Sequence, residues 1–260
     1  MQQQLIQEIG DQLYVALRNA QPIEAITSVH PHMTIEDAYQ VQQRMLTRRL
    51  QDGEKVVGKK IGLTSQAVMS MLGVSQPDFG YLFDAMQVPD GSTINLNQLI
   101  QPKAEGEIAF IMGQDLIGTN LTESDVLAAT AYVAPCFEIV DSRIRDWKIK
   151  IQDTVADNAS CGLFVIGEGR VSPHGLNLSQ CEMVFEKNGQ IIGQGTGAAS
   201  MGSPVKAVTW LVNTLGQFGV GLKAGEVVLS GALAAMSTCA AGDQYKVSIG
   251  GIGSCSVCFA

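Results

Sequence analysis

The residues best suited to chemistry lie in the segment AEGEIAF. Alternate side chains of an extended chain share a face, so Glu105 and Glu107 project together, while Ala104, Ile108, Phe110 and Met112 include the apolar set of a strand within a core. Two neighbouring carboxylates repel unless a cation or a shared proton compensates. Their oxygen donors suit magnesium, calcium or manganese better than zinc. Spacing alone leaves a second reading open, the solvated outer face of a strand. A third acid, Glu138, sits in PCFEIVDS between Phe137, Ile139 and Val140. A carboxylate in such apolar company needs a partner or a metal, or it marks a strand end. Asp141 and Asp157 lie near turns, where capping of backbone groups competes with a chemical role.

Lys60, in GKKIG, is a candidate cation for orienting a carboxylate or moving a proton. Lys59 and Lys60 point to opposite faces of a strand, so at most one should turn inward; two surface lysines are the competing reading. Other motifs carry little. CSVC (Cys255 to Cys258) lacks a second ligand pair, and i and i+3 on a strand face opposite ways, so core packing is expected. His30, His32 and His174 fall among turn residues. GQGTGAASMG matches no phosphate-binding loop and reads as mobile or close-packed.

These residues need a body to hold them. The chain has 260 residues, a hydrophobic fraction of 46%, a charged fraction of 16% and 28 glycines, which indicates a globular, strand-rich protein with many tight turns. Its formal net charge is −8 and it has no basic stripe, which argues against nucleic acid or an anionic membrane as partner. An acidic protein handling an anionic substrate needs a local positive centre, and a bound cation supplies one. No apolar run approaches the roughly 20 residues of a membrane span, and no secretory signal is visible. The six scattered cysteines read as reduced thiols of a cytoplasmic protein.

Leu5, Ile9, Leu13 and Leu17 predict an amphipathic helix stopping near Pro22, and TIED predicts a second with Thr34 and Asp37 as its cap. Residues 1–53 are therefore expected to form a helical lead-in, and 54–260 a β-rich domain carrying the candidate metal-binding and catalytic residues. KVVGKKIGLT reads as a strand, followed by a short helix from about Ser65 to Leu72 and a turn-rich loop around Asp78. A helix from Thr122 to about Tyr132 precedes a strand opened by Pro135. Asn188-Gly189 marks a hairpin, and Ser203-Pro204 starts a helix. EVVLSG and QYKVSIGG are further strands. Strands and helices mix without strict alternation, so the expected class is α+β with a mostly antiparallel sheet or barrel-like body.

Taken together, GKKIGLTS, LGVSQPDFGYLFDAM, QPKAEGEIAF, PCFEIVDSRIRDWKIKIQDTVADNASCG and the terminal GGIGS resemble the 2-hydroxypenta-2,4-dienoate (2-oxopent-4-enoate) hydratases of the fumarylacetoacetate hydrolase superfamily, over nearly the whole chain. The resemblance implies a distorted mixed β-sheet or barrel body behind a small helical region. It implies magnesium or manganese on Glu105, Glu107 and Glu138, catalytic Lys60 and Asp78 in the same pocket, and Ser160 near the substrate. The implied reaction is hydration of 2-hydroxypenta-2,4-dienoate to 4-hydroxy-2-oxopentanoate, late in meta-cleavage of aromatic compounds. It also implies a homo-oligomer and a possible complex with a sister decarboxylase. No histidine matches the histidine–glutamate pair usual in the superfamily's C–C bond hydrolases, which argues against hydrolysis. Two alternatives accompany this reading: 4-oxalocrotonate decarboxylase, with the same metal motif, and a non-catalytic scaffold subunit, against which the intact glutamates and Lys60 argue.

Overall fold

The computed structural model describes residues 1–65, 69, 70, 74 and 76–260. The short helix expected from about Ser65 to Leu72 falls largely outside the described residues. Two helices, α1 (Gln3–Asn19) and α3 (Ile35–Gln51), lie side by side, with one turn of helix, α2 (Ile26–Val29), between them in sequence. Thr34 and Asp37 form the expected capping box at the start of α3. The apolar faces of α1 and α3 bury Ile6, Ile9, Leu13, Ala38, Val41 and Met45 in one cluster, completed by Ile144, Val155 and Ala156 from the middle of the chain.

The body is built of two sheets. In the larger, β2 (Asp78–Phe83) pairs antiparallel with β1 (Val56–Gly62), β1 parallel with β10 (Val227–Leu229), and β10 antiparallel with β5 (Lys103–Met112). The order continues through β6 (Thr130–Val140), β7 (Cys161–Ile166) and β3 (Gln87–Val88), with β11 (Ser237–Thr238) attached to β5. The second sheet runs β4 (Thr93–Ile94), β13 (Gly253–Phe259), β12 (Gln244–Ile249), β8 (Glu182–Lys187), β9 (Gln190–Thr196). Parallel pairings at β1–β10, β3–β7 and β4–β13 make both sheets mixed, and the class is α+β. The main core lies between them, with Phe137 facing Phe185 and Tyr245 at ring distances of 5.9 and 6.5 Å. Gly106 of β5 faces the second sheet closely enough that a Cβ there would stand 2.8 Å from Met183 Sδ and 2.9 Å from Val247 Cγ2. Its neighbours Glu105 and Glu107 therefore point out of this core, through the opposite face of β5.

Several local expectations shift. Asp78 opens a strand instead of sitting in a loop. The helix α4 (Glu123–Ala129), capped by Thr122 and Asp125, is shorter than its sequence suggests, because β-prone residues from Thr130 onward join β6. Pro135 lies inside β6, not at its start. Its carbonyl accepts from Gly167 N–H, so the N–H that proline lacks would point to that same edge, beyond the end of β7. Asn188 and Gly189 both have positive φ, 53° and 75°, in the β8–β9 turn. Helix α6 (Pro204–Gly216) begins with proline as expected, but Ser203 makes no side-chain cap. The six cysteines are free thiols. GQGTGAASMG is not all loop, since its first four residues end β9; Gly195 and Gly197 abut the carbonyls of Leu233 and Leu178, so the segment is close-packed there. Among the described residues no helix is long and apolar enough to cross a membrane.

Candidate metal centre

Strand register brings the glutamates together. Glu105 of β5 stands directly across from Glu138 of β6, and Glu107 follows two residues along the same face. One carboxylate oxygen of each can be chosen so that all lie within 4.8 Å of one another. Glu107 and Glu138 are fully buried and Glu105 is half-buried, so the face shared by Glu105 and Glu107 is not a solvated outer face. Glu107 Oε2 accepts from Gly231 N–H at 2.7 Å, while Glu107 Oε1 and both Glu138 oxygens accept no hydrogen bond among the described residues. Buried carboxylate oxygens left in this state call for protonation or a cation. An all-oxygen donor set with orphaned lone pairs fits a hard divalent ion.

Electrostatics agree with the geometry. Burial, reinforced by the Glu138 charge, pushes the Glu105 carboxyl up to about 7 although its side chain touches the cavity. Burial and the charges of Glu138 and Glu105 raise Glu107 well above the carboxylate range. Lys60 is the cation built into the group. Its Nζ lies 3.0 Å from Glu138 Oε1, an ion pair outside hydrogen-bond geometry, and donates to the Ala159 carbonyl at 2.8 Å. Burial works against the ammonium, but Glu138 and Asp78 outweigh it and hold its pKa above the ordinary lysine value. Lys59 is also buried, on the other face, where it pairs with Glu226 at 2.7 Å. Both lysines thus turn inward, one to each side, because each has a buried acid waiting.

Asp78 is buried at the end of β2, next to β1. Its Oδ2 accepts from Thr154 Oγ1 at 2.6 Å, and its Oδ1 has no hydrogen-bond partner among the described residues. Burial raises its pKa against the opposing pull of Lys60 and Thr154. Thr154 lies on α5 (Ile151–Ala156), inside the quoted motif, but nothing in its type or spacing distinguishes it there. Gly62 makes room for this acid: a Cβ at that position would stand 2.2 Å from Asp78 Oδ1.

The turn after α5 holds the other side. Asn158, Ala159 and Ser160 all have positive φ, 55°, 49° and 52°, a conformation costing about 1–2 kcal/mol per residue outside glycine. Asn158 fixes it by accepting from Tyr81 N–H at 2.8 Å and donating to the Tyr81 carbonyl at 2.9 Å. Gly80 permits the approach, since a Cβ there would meet the Asn158 carbonyl at 2.4 Å. Fully buried Arg143 binds the Asp157 carboxylate and the carbonyls of Asp141, Asp157 and Cys161. Asp141 accepts from the N–H groups of Ile100 and Gln101. Asp141 and Asp157 therefore secure the backbone, the structural option in their sequence reading.

Lys60, Asp78, Glu105, Thr154 and Ser160 line one cavity of about 960 Å³, whose remaining wall includes Leu63, Val140, Trp147, Ile149 and residues 232–236. Of the residues singled out from sequence, these carboxylates, Lys60 and Ser160 converge, whereas His32 and His174 are exposed elsewhere. A family model described as fumarylacetoacetate (FAA) hydrolase C-terminal matches residues 59–260. The chain is 56% identical over 258 residues to a 2-hydroxyhexa-2,4-dienoate hydratase of Comamonas testosteroni, covering 98% of each. It is 58% identical over 221 residues to a 2-hydroxypent-2,4-dienoate hydratase of Pseudomonas putida, covering 85% of this chain and 100% of that one. A solved structure of 4-oxalocrotonate decarboxylase from Pseudomonas putida G7, complexed with magnesium and adipate, superposes with a TM-score of 0.97 at 36% identity, covering 100% of this chain and 99% of that one. The chain belongs to the fumarylacetoacetate hydrolase family.

Proposed function

We propose that this chain is a divalent-metal-dependent hydro-lyase that adds water to 2-hydroxypenta-2,4-dienoate, giving 4-hydroxy-2-oxopentanoate, in meta-cleavage catabolism of aromatic compounds. The observation that carries the reading is the cluster of three glutamates, whose Glu105 lines one cavity together with Lys60 and Asp78, in a chain more than half identical to two hydratases. Glu105, Glu107 and Glu138 would hold magnesium or manganese. When bound, such an ion supplies a Lewis acid for the substrate's carboxylate and 2-oxygen.

The residues of the chain then account for the proton movements. The 2-hydroxyl proton leaves and C5 gains a proton, which gives a 2-oxo-3-enoate; water oxygen adds at C4, and C3 takes the last proton. Lys60 is fixed beside Glu138 and stays charged, which suits it to hold the substrate's developing negative oxygen. Asp78 has one oxygen without a hydrogen-bond partner among the described residues and a raised pKa, which suits it to hand over and recover a proton. Ser160 Oγ, 3.4 Å from Asp157, is placed to turn toward the substrate.

Turnover of the dienoate should vanish after chelator treatment and return on addition of magnesium or manganese. In Glu107→Gln, Mn²⁺ affinity should fall at least about tenfold, because a charged ligand is lost. Full activity of that variant in metal-free buffer would refute the assignment. The decarboxylase structure at 36% identity motivates a second reading, loss of carbon dioxide from 4-oxalocrotonate. Assaying both dienoate consumption and carbon dioxide release separates the two, and a hexadienoate tests the longer substrate named for the Comamonas relative. Self-association, a complex with a sister decarboxylase and residence in the cytoplasm complete the proposal; sedimentation with and without that partner, and fractionation, test them.

A further inference from the structure

The helical region contributes one residue that reaches toward the site. Gln42 of α3 is buried at 1% exposure. Its Nε2 donates to the Phe79 carbonyl at 2.9 Å and to the Val155 carbonyl at 3.1 Å. Phe79 directly follows Asp78, and Val155 directly follows Thr154, whose hydroxyl holds the Asp78 carboxylate. One amide thus ties together the two backbones that carry the two partners of the Asp78–Thr154 hydrogen bond. One helical turn earlier, Tyr39 stacks on Phe79 with ring centroids 4.8 Å apart, pressing the same strand from the same helix. Gln42 Oε1 has no partner among the described residues, so the side chain acts as a double donor and is a poor choice for stability alone. It also lies outside residues 59–260 that match the family model.

We infer that Gln42 is a positioning residue: through Phe79 and Val155 it holds Asp78 and Thr154 at the separation that aims Asp78 Oδ1 into the cavity. The inference rests on the reading of Asp78 as a proton-transfer group.

The test compares Gln42→Met, Thr154→Val and the double variant in the full-length, Mn²⁺-loaded protein. Methionine keeps the shape and removes both donors. Loosening a proton-transfer group without touching the metal should lower kcat about tenfold, with Mn²⁺ Kd and KM near wild type. If Gln42 acts through the Thr154–Asp78 bond, the double variant should match Thr154→Val within about twofold instead of multiplying the two losses. A crystal structure of Gln42→Met should show Thr154 Oγ1 and Asp78 Oδ2 parted beyond about 3.5 Å. Unchanged kcat, multiplicative losses, parallel loss of Mn²⁺ binding, or an intact Thr154–Asp78 bond would each overturn the role. Gln42→Glu, also isosteric, is read in parallel. If neither variant folds, Gln42 supports the whole fold and the positioning role is overturned. A wild-type protein that leaves the dienoate untouched would refute the proposed reaction, while the crystallographic comparison still judges Gln42.

Discussion

Three carboxylates within 4.8 Å, two of them fully buried, are an unstable arrangement by themselves. At an effective dielectric of about 20, each pair of ionised groups at that separation repels by roughly 3 kcal/mol. Lys60 offsets part of this, and protonation of Glu105 and Glu107 can offset more, but only a cation uses the orphaned oxygens. The space around Asp78 is as tightly drawn. Gly62→Ala would drive a methyl group into Asp78 Oδ1 and within 3.2 Å of Lys60 Nζ. The expected result is a fall in kcat of about 10- to 100-fold, with Mn²⁺ affinity preserved, measured by steady-state kinetics and calorimetry. Equal losses in both would mean that the methyl group distorts the three glutamates too.

Among the elements, the pairing of β5 with β6 does the decisive work, since a slip of one residue would turn Glu138 away from Glu105. The E-x-E spacing and the apolar flanks of Glu138 were legible in the sequence, because they follow from strand periodicity. The register was not, because pairing joins residues over thirty positions apart and is settled by packing on the second sheet. The helices were legible in outline for the same local reasons, down to the Thr34 cap. Their mutual packing is reinforced by Asp11, whose carboxylate accepts from Arg44 Nε at 2.9 Å, Arg44 Nη2 at 2.8 Å and Arg48 Nη1 at 3.0 Å. The Arg44 hydrogen bonds foremost, and those of Arg48, hold the Asp11 carboxyl below its ordinary value of 3.8. A depressed carboxyl stabilises the fold above the unfolded value and loses that contribution as pH falls through the folded one. About a third of the side chain meets solvent, so screening limits the effect, and Asp11→Asn should cost about 0.5–1 kcal/mol at pH 7. In urea titrations the difference from wild type should disappear well below pH 3.8.

For the whole molecule, the site depends on parts far apart in sequence: β1, β2, β5, β6, the turn at 158–160 and the loop that supplies Gly231 N–H. The helices close over α5, where Asp153 binds Thr27 N–H at 2.9 Å and its hydroxyl at 2.6 Å. A ligand that binds only this assembled state must stabilise all of it. At a hundredfold excess over Kd, Mg²⁺ or Mn²⁺ should add about 2.7 kcal/mol, raising Tm by about 5 °C at this chain length. Scanning calorimetry on chelator-treated protein, with stepwise ion addition, reads this directly. No shift with either ion would remove the cation from the cluster.

The sequence by itself determined the candidates: which acids share a strand face, that Lys59 and Lys60 point to opposite faces, where helices start, and, through long motifs, the family. Those properties are written in local periodicity and in residue type. Only the tertiary structure decided that Glu138 stands across from Glu105, that Lys59 and Lys60 are both buried, that Asp78 begins a strand and accepts from Thr154, and that Gln42 of α3 grips the backbone beside both. Each is a contact between distant segments, fixed by the way the sheets and helices exclude water from one another, and no spacing along the chain encodes it.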